Sequence, residues 1–318
     1  MKICLITPAA TSSLTGNSVT STRWSRILRH LGHEVSVWQD YSTGRFDLLV
    51  ALHALKSWQS IRKFYTENPG CPIVVALTGT DVYDKIHVSA KARESLEMAS
   101  RLVALQPKAL EQLSPGLRRK TVVIYQSLLA SKKAVKRLKT CFEVCVIANL
   151  RSVKDPLRTA YAARLLPASS KIKISHIGAA LDNSFASRAT KEQSENHRYS
   201  WLGEMPRWKT QNILRRSRLL VLTSKMEGGA NVVSEAIVSS VPVISTRISG
   251  SIGMLGEKYP GYFPYGDTKS LAKLLYRAEC DKDFYNELTL LCKNKRKLFR
   301  PANEVKAWRE LLDSIQGD

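Results

Sequence analysis

Short apolar runs alternate with helix-like segments along the chain, and this alternation is what most restricts the fold. Runs such as Phe46–Leu52 and Pro72–Leu77 are almost continuously apolar, which is typical of strands buried on both faces. Strands of this kind that are joined by helices predict parallel, doubly wound sheets. The sequence therefore predicts an α/β protein.

The alternation stops once, in a basic stretch near the middle of the chain, and restarts at Phe142. A length of 318 residues fits about two domains. We predict an N-terminal Rossmann-like domain (1–130), a basic linker (131–140), a C-terminal Rossmann-like domain (141–300) and a final helix (301–318). We expect the two domains to face a cleft and the final helix, with its apolar Trp308, to cross back onto the first domain.

The formal net charge is +22, which fits a nucleic-acid partner, a field for anionic substrates, or simple solubility. The basic clusters at Arg118–Lys120, Lys132–Lys139 and Lys293–Arg300 lack the interleaved aromatic residues of a single-strand-binding groove. This favours small anionic substrates over nucleic acid.

No apolar run approaches the roughly 20 residues that cross a bilayer, and the N-terminus does not resemble a signal peptide. We expect a cytoplasmic protein with no membrane partner. The six cysteines show no metal-site spacing, so we expect reduced, mostly buried thiols.

The stretch Thr223–Gly250 predicts a strand, a glycine turn, a helix and a second strand. The start of that helix offers free amides to an anion. Glu235 lies about one turn into the helix, where its carboxylate either accepts ribose hydroxyls or only stabilises the helix dipole. Glu227, in the turn, is either a ligand contact or a solvated loop residue.

Arg151 and Lys154 lie on a loop that follows the first strand of the second domain. Two cations three residues apart either reach one pyrophosphate together or form an ordinary solvated pair. In the first case their charge would stabilise a departing phosphate.

Two segments of the second domain resemble the donor site of GT-B glycosyltransferases of the glycogen synthase and sucrose synthase type. They are Ala148–Pro156, with its Arg151 and Lys154, and the pair Glu227 and Glu235, which are separated by seven residues. Motifs over nearly the whole chain also resemble the selenosugar synthases, the glycosyltransferases of selenoneine biosynthesis. These motifs are Lys2–Pro8, Gly16-Asn17, Ala51–Ala54, Ala76–Asp81, Val123–Ser127, Glu227–Ala236 and Tyr259–Pro264.

The resemblance implies transfer of a sugar from a UDP-sugar, with UDP-N-acetylglucosamine expected, to the selenium of selenophosphate, followed by loss of phosphate. It implies that Arg151 and Lys154 bind the donor diphosphate and that Glu235 binds the ribose. Glu227 would contact the sugar, together with the amides of the residues that follow it (Gly228, Gly229, Ala230, Asn231 and Val232). The resemblance also implies no bound metal and no cofactor beyond the two substrates.

One departure concerns the turn after Glu227, where many GT-B relatives have a proline and an aromatic residue. This chain has Gly228-Gly229-Ala230, and we expect open, flexible space beside the sugar.

The acceptor site should come from the first domain and should be rich in positive charge and amide donors. The candidates are Gly16 and Asn17 in a loop, Arg23, His53, Thr78, Gly79, Asp81 and Gln126, with Arg247 from the second domain. His53 is alternatively a structural histidine, and Asp81 alternatively a loop cap. A hydroxyl or thiol acceptor stays open as a second hypothesis, and the oligomeric state is not predicted.

Overall fold

The computed structural model describes residues 1–8, 16–129, 135–181 and 183–316. Residues 9–15 and residues 131–134 of the predicted linker lie outside the described residues. The chain forms two compact units. The first comprises Met1–Ser127, Glu227–Ala230 and Leu298–Asp318, and the second comprises Leu128–Met226 and Asn231–Lys297. The sequence prediction set the limits at residues 130 and 300 instead.

The first unit is built on a parallel sheet that has six strands within the described residues, in the order β2-β1-β3-β4-β5-β6. Its strands are β1 (Lys2–Ile6), β2 (Glu34–Trp38), β3 (Leu48–Leu52), β4 (Ile73–Leu77), β5 (Arg101–Ala104) and β6 (Thr121–Val123). Every residue of the central strands β3 and β4 is buried, which explains their continuous apolar sequences.

Helices cover both faces of this sheet. They are α1 (Gly16–His30), α2 (Trp58–Glu67), α3 (Ile86–Val88), α4 (Ala90–Met98), α5 (Pro115–Arg119) and, at the far end of the chain, α13 (Pro301–Gln316). A π-helical turn, Asp81–Lys85, and a 3-10 turn, Pro107–Gln112, complete the described part of the unit.

Alternate residues of β1 point to opposite faces of the sheet and pack in two different apolar clusters. Ile3 and Leu5 pack in one apolar cluster with Trp24 of α1 and Trp308 of α13, whereas Cys4 and Ile6 belong to the cluster on the opposite face. The indole rings of Trp24 and Trp308 meet edge to face, with ring centres 4.9 Å apart. Helix α13 is therefore part of the core of the first unit.

The second unit has a parallel sheet with six strands among the described residues, in the order β12-β11-β10-β7-β8-β9. The strands are β7 (Phe142–Ile147), β8 (Ile172–Ile177), β9 (Tyr199–Trp201), β10 (Leu219–Leu222), β11 (Val243–Thr246) and β12 (Tyr262–Phe263). The predicted α/β class with two doubly wound sheets is confirmed.

The helices of the second unit are α6 (Arg158–Arg164), α7 (Asn183–Glu195), α8 (Arg207–Arg216), α9 (Asn231–Val238), α10 (Ser249–Leu255), α11 (Thr268–Cys280) and α12 (Lys282–Lys295). 3-10 turns occupy Ser152–Lys154 and Arg296–Phe299.

Several local predictions were wrong. Helix α1 begins at Gly16, so Gly16 and Asn17 lie in its first turn and not in the predicted loop. The sequence also predicts a loop over Thr78–Asp81 after β4, whereas the chain is helical from Gly79 onward. Four short elements, α3, α5, α10 and β12, were missed because two to seven residues carry too little periodicity to recognise.

All six cysteines are free. Three are buried (Cys4, Cys145 and Cys292), two are half-buried, and Cys280 is exposed, so burial is less general than predicted. Among the described residues, no helix combines the length and the apolar character that crossing a bilayer requires.

Candidate active site

The strand order of the second unit marks where a ligand would bind. From β7 the chain continues to β8 and β9 on one side and then returns to place β10, β11 and β12 on the other. Ligands of doubly wound sheets bind outside the carboxyl ends of the strands at such a switch point. The loops that follow β7 and β10 are therefore the first candidates.

These two loops are hydrogen-bonded to each other. The Thr223 hydroxyl, which follows β10, lies 2.8 Å from the carbonyl oxygen of Lys154 and 2.9 Å from that of Asp155, and donates to this pair. The Lys225 amide donates to the carbonyl oxygen of Val153 at 2.8 Å. Thr223 is 2% exposed, so its hydroxyl group is buried in the protein interior.

The backbone of the Lys154 loop is also fixed by ion pairing. Asp155 has φ of 43°, a left-handed conformation that costs a non-glycine residue about 1 kcal/mol. Its carboxylate accepts from Arg158 Nε at 2.8 Å, and Arg158 donates to the Thr268 hydroxyl at 2.7 Å. Arg151 is exposed and Lys154 half-buried, so this loop presents two cationic side chains at the switch point.

A buried histidine supports the base of the same loop. His176 of β8 is fully buried, and burial lowers its pKa to about 4. The neutral ring has Nε2 2.9 Å from the carbonyl oxygen of Ala148 and Nδ1 2.8 Å from the Tyr199 hydroxyl. Nε2–H therefore donates to Ala148 and Nδ1 accepts from Tyr199.

Glu235 lies in α9, the helix that follows β10 and the glycine turn. It is 7% exposed, and its Oε1 lies 3.0 Å from Nη2 of Arg207, the first residue of α8. The prediction put Glu235 about one turn into the helix, and the structure places it at the fifth position, in agreement. The Arg207 contact was not predicted. Asn231 and Val232 begin the same helix and are half-buried.

The glycine turn belongs to the first unit and is not open. A Cβ atom on Gly228 would lie 2.6 Å from the backbone nitrogen of Gly79, and a Cβ on Gly79 would lie 2.6 Å from that of Gly228. A Cβ on Gly229 would meet Leu105 at 2.7 Å. The prediction of open space beside the sugar is therefore wrong. These glycines instead allow two segments of the backbone to pack closely together. Glu227 is half-buried and Ala230 buried.

The first unit has its own switch point, between β1 and β3. Helix α1, with Gly16 and Asn17, follows β1, and His53 follows β3. Thr78 and Gly79 follow the neighbouring strand β4. The strand order therefore gathers most of the predicted acceptor residues at the carboxyl edge of this sheet.

Asp81 holds the turn after β3. Its carboxylate is fully buried and accepts from the backbone amide of Ala54 at 2.9 Å, while Nδ1 of His53 lies 2.6 Å from the other oxygen. The carboxylate oxygen that accepts from Ala54 also lies 3.2 Å from the Thr78 hydroxyl, which donates to it. A carboxylate enclosed in this way supports the loop cap and not direct contact with a substrate.

His53 has φ of 76°, so its backbone is strained, and its ring is buried. Nδ1 faces both the Asp81 carboxylate at 2.6 Å and the Lys56 amide at 3.3 Å. Nε2 faces the Thr80 hydroxyl at 3.1 Å.

A second group of predicted acceptor residues surrounds Glu304 of α13. This carboxylate is 1% exposed and accepts from Arg23 Nε at 3.1 Å, Trp24 Nε1 at 2.8 Å and the Ser127 amide at 2.7 Å. Gln126, one residue earlier, donates to the Thr20 hydroxyl at 2.6 Å. Arg23 is thus oriented by a residue that lies far away in the sequence.

Arg247 follows β11, and its side chain contacts other residues of the second unit. Nη2 lies 2.6 Å from Glu257 Oε1, and the guanidinium lies 5.5 Å from the centre of the Tyr262 ring. Its predicted role toward a ligand stays a prediction. Within the described residues, no three His, Cys, Asp or Glu side chains are grouped as metal ligands.

A profile of the family described as Glycosyl transferases group 1 matches residues 130–297, more than half of the chain. The chain belongs to this family. The matched segment contains the Lys154 loop, the glycine turn and Glu235.

Solved structures share the fold of this glycosyl transferase. Anabaena Alr3699/HepE in complex with UDP and glucose matches with a TM-score of 0.76 and 15% identity, over 99% of this chain and 100% of that chain. Sucrose-phosphate synthase from Thermosynechococcus elongatus has a TM-score of 0.73 and 14% identity, over 99% of each chain. A glycosyltransferase from Rickettsia africae ESF-5 has a TM-score of 0.73 and 13% identity, over 99% and 98%. They confirm the GT-B fold. No curated protein matches the chain.

Sequence reasoning missed four residues of these sites in the glycosyl transferase. Thr223, His176, Arg207 and Glu304 act on residues that were predicted, through hydrogen bonds or ion pairs. Thr223 directly follows an apolar strand, a position that could have been noticed. The other three carry no local signal.

Proposed function

We propose that this glycosyl transferase transfers a sugar from a UDP-sugar, specifically UDP-N-acetylglucosamine, to the selenium of selenophosphate. The observation that carries the donor half is the fixed Lys154 loop, which presents two cations at the switch point of the second unit. The acceptor half is supported by the end-to-end resemblance to the selenosugar synthases.

The proposed chemistry is a displacement at the anomeric carbon. Selenium forms a bond to C1 as the bond from C1 to the UDP oxygen breaks, and UDP leaves with the electron pair. Water then cleaves the phosphorus–selenium bond, which releases phosphate and leaves a selenosugar. The leaving diphosphate gains charge in the transition state, where Arg151 and Lys154 stabilise it.

On this proposal no metal ion is needed, because two side chains supply the positive charge. Glu235 accepts from the ribose hydroxyls, and Glu227 with the following amides contacts the sugar. The first unit supplies Arg23 and the turn around Thr78 for the selenophosphate anion. His53 and Asp81 shape that turn.

The test is a turnover assay with UDP-N-acetylglucosamine and each of three acceptors: selenophosphate, thiophosphate and a small thiol. We expect UDP release and a selenosugar of the correct mass with selenophosphate, and unchanged rates in the presence of EDTA. Turnover only with the thiol or with a hydroxyl acceptor would favour a different acceptor class. EDTA inhibition that Mg²⁺ reverses would refute the role assigned to the two cations.

A further inference from the structure

We infer that Arg207 is a positioning residue for Glu235 and makes this enzyme select ribonucleotide donors over 2′-deoxyribonucleotides. The inference rests on the proposed function, in which Glu235 binds the donor ribose. It concerns a contact that lies within the second unit, between the first residue of α8 and the fifth of α9.

The geometry of the pair suits a holding role. Nη2 of Arg207 lies 3.0 Å from Oε1 of Glu235, and the side chains are 43% and 10% exposed. An ionised carboxylate offers about four acceptor positions, and this bond occupies one of them. The arginine is the more exposed partner of the pair and contacts a carboxylate that is almost enclosed.

The orientation of the Glu235 carboxylate matters because the ribose presents a vicinal diol. The terminal torsion of a glutamate side chain is broad, so an unrestrained carboxylate samples many planes. A planar guanidinium beside it restricts that rotation. Two ribose hydroxyls at a fixed separation bind well only to a carboxylate that is already turned toward them.

Selectivity follows from the same restriction. A site that is built to bind a hydroxyl rejects an analogue without it, because the protein group is left without its partner. If Arg207 is removed, the carboxylate relaxes to other partners, and the loss of the 2′-hydroxyl matters less.

The second unit contains a matched control pair. Arg164 Nε lies 2.9 Å from Glu192 Oε1, with side chains 41% and 5% exposed. Arg164→Met removes the same charge beside a buried glutamate, in α6 rather than at the start of α8, and it breaks further bonds to the second oxygen of Glu192 and to Glu195. Any general effect of losing such a pair should therefore appear in both variants.

The experiment is calorimetric titration of wild type, Arg207→Met, Arg207→Gln and Arg164→Met with UDP and with 2′-deoxy-UDP. We expect wild type and Arg164→Met to prefer UDP by about tenfold or more. Both Arg207 variants should bind UDP about tenfold more weakly, and their preference should fall toward unity. The glutamine variant keeps a polar side chain in case the methionine variant does not fold.

Two results would overturn the inference while UDP binding by wild type still supports the proposed function. One is an unchanged preference in a folded Arg207 variant. The other is tighter UDP binding without Arg207, which would mean that the arginine competes with the ribose. If neither wild type nor Arg164→Met binds UDP, the donor assignment itself fails and this inference with it.

Discussion

The Thr223 hydroxyl donates to the carbonyl oxygen of Lys154, 2.8 Å away, and so joins the loops that follow β10 and β7. The bond does not touch the Lys154 ammonium group. It fixes the backbone from which that side chain extends, at the edge of the sheet where a ligand is expected.

Thr223→Val keeps the shape of the side chain and removes this bond. We expect kcat to fall about ten- to hundredfold, because a small displacement of a catalytic group is costly, with thermal stability reduced only modestly. Steady-state kinetics would measure the loss, and Thr223→Ser should restore most of the activity. Thr289→Val is the control, since Thr289 also donates to a backbone carbonyl, within α12. Equal losses in both valine variants would argue against a positioning role.

Lys154→Ala should reduce kcat by about 100- to 1,000-fold, since charge on the leaving group develops mainly in the transition state. The KM for the UDP-sugar should rise much less. Lys191→Ala, at an exposed position of α7, should behave as wild type. A normal kcat with a raised KM would show that Lys154 only binds the donor.

Gly79→Ala places a methyl group 2.6 Å from the Gly228 backbone nitrogen, so the backbone must move. We expect destabilisation of about 1–3 kcal/mol by thermal or urea unfolding, together with reduced turnover. Gly116→Ala in α5 is the control, because its methyl group meets only the end of the Arg119 side chain at 3.8 Å. That variant should be neutral or slightly stabilised. Wild-type stability in Gly79→Ala would contradict the contact.

His176 makes the stability of the second unit depend on pH. Its pKa is lowered from 6.5 to about 4 in the folded chain, so the unfolded chain binds the proton more readily. The stabilisation is complete above pH 6.5 and is lost as the pH falls toward 4, with a total on the order of 3 kcal/mol. His176→Gln keeps a donor and an acceptor but does not titrate.

Urea unfolding of wild type and His176→Gln between pH 7.5 and 4.5 would measure this effect. We expect the free energy of unfolding of wild type to fall more steeply with decreasing pH. Parallel curves would show that the ring does not remain neutral in the folded state.

Much of the fold was predictable because it depends on local pattern. Strands such as β3 and β4 are buried on both faces and must be apolar throughout, and this signal is visible in the sequence. The loop with Arg151 and Lys154 could be placed for the same reason, since it follows the strand that restarts the alternation.

The supporting contacts of the sites were not predictable, because they depend on packing between distant segments. Glu304 and Arg23 are 281 residues apart in the sequence, and Arg207 and Glu235 are 28 apart. The periodicity of the sequence does not indicate which charged residues will contact each other. The short distance between Gly79 and Gly228 likewise depends on how distant segments of the chain pack. From the sequence, these glycines indicated flexibility.

The placement of α13 bears on how the protein is made. The residues that complete the core of the first unit, Trp308 among them, come after the whole second unit in the chain. During synthesis from the N-terminus, Trp24 therefore lacks its aromatic neighbour until the second unit has been translated. A fragment that ends at Ser127 would lack both that neighbour and the Glu304 carboxylate that binds Trp24, so we expect it to be less stable than the first unit of the whole chain.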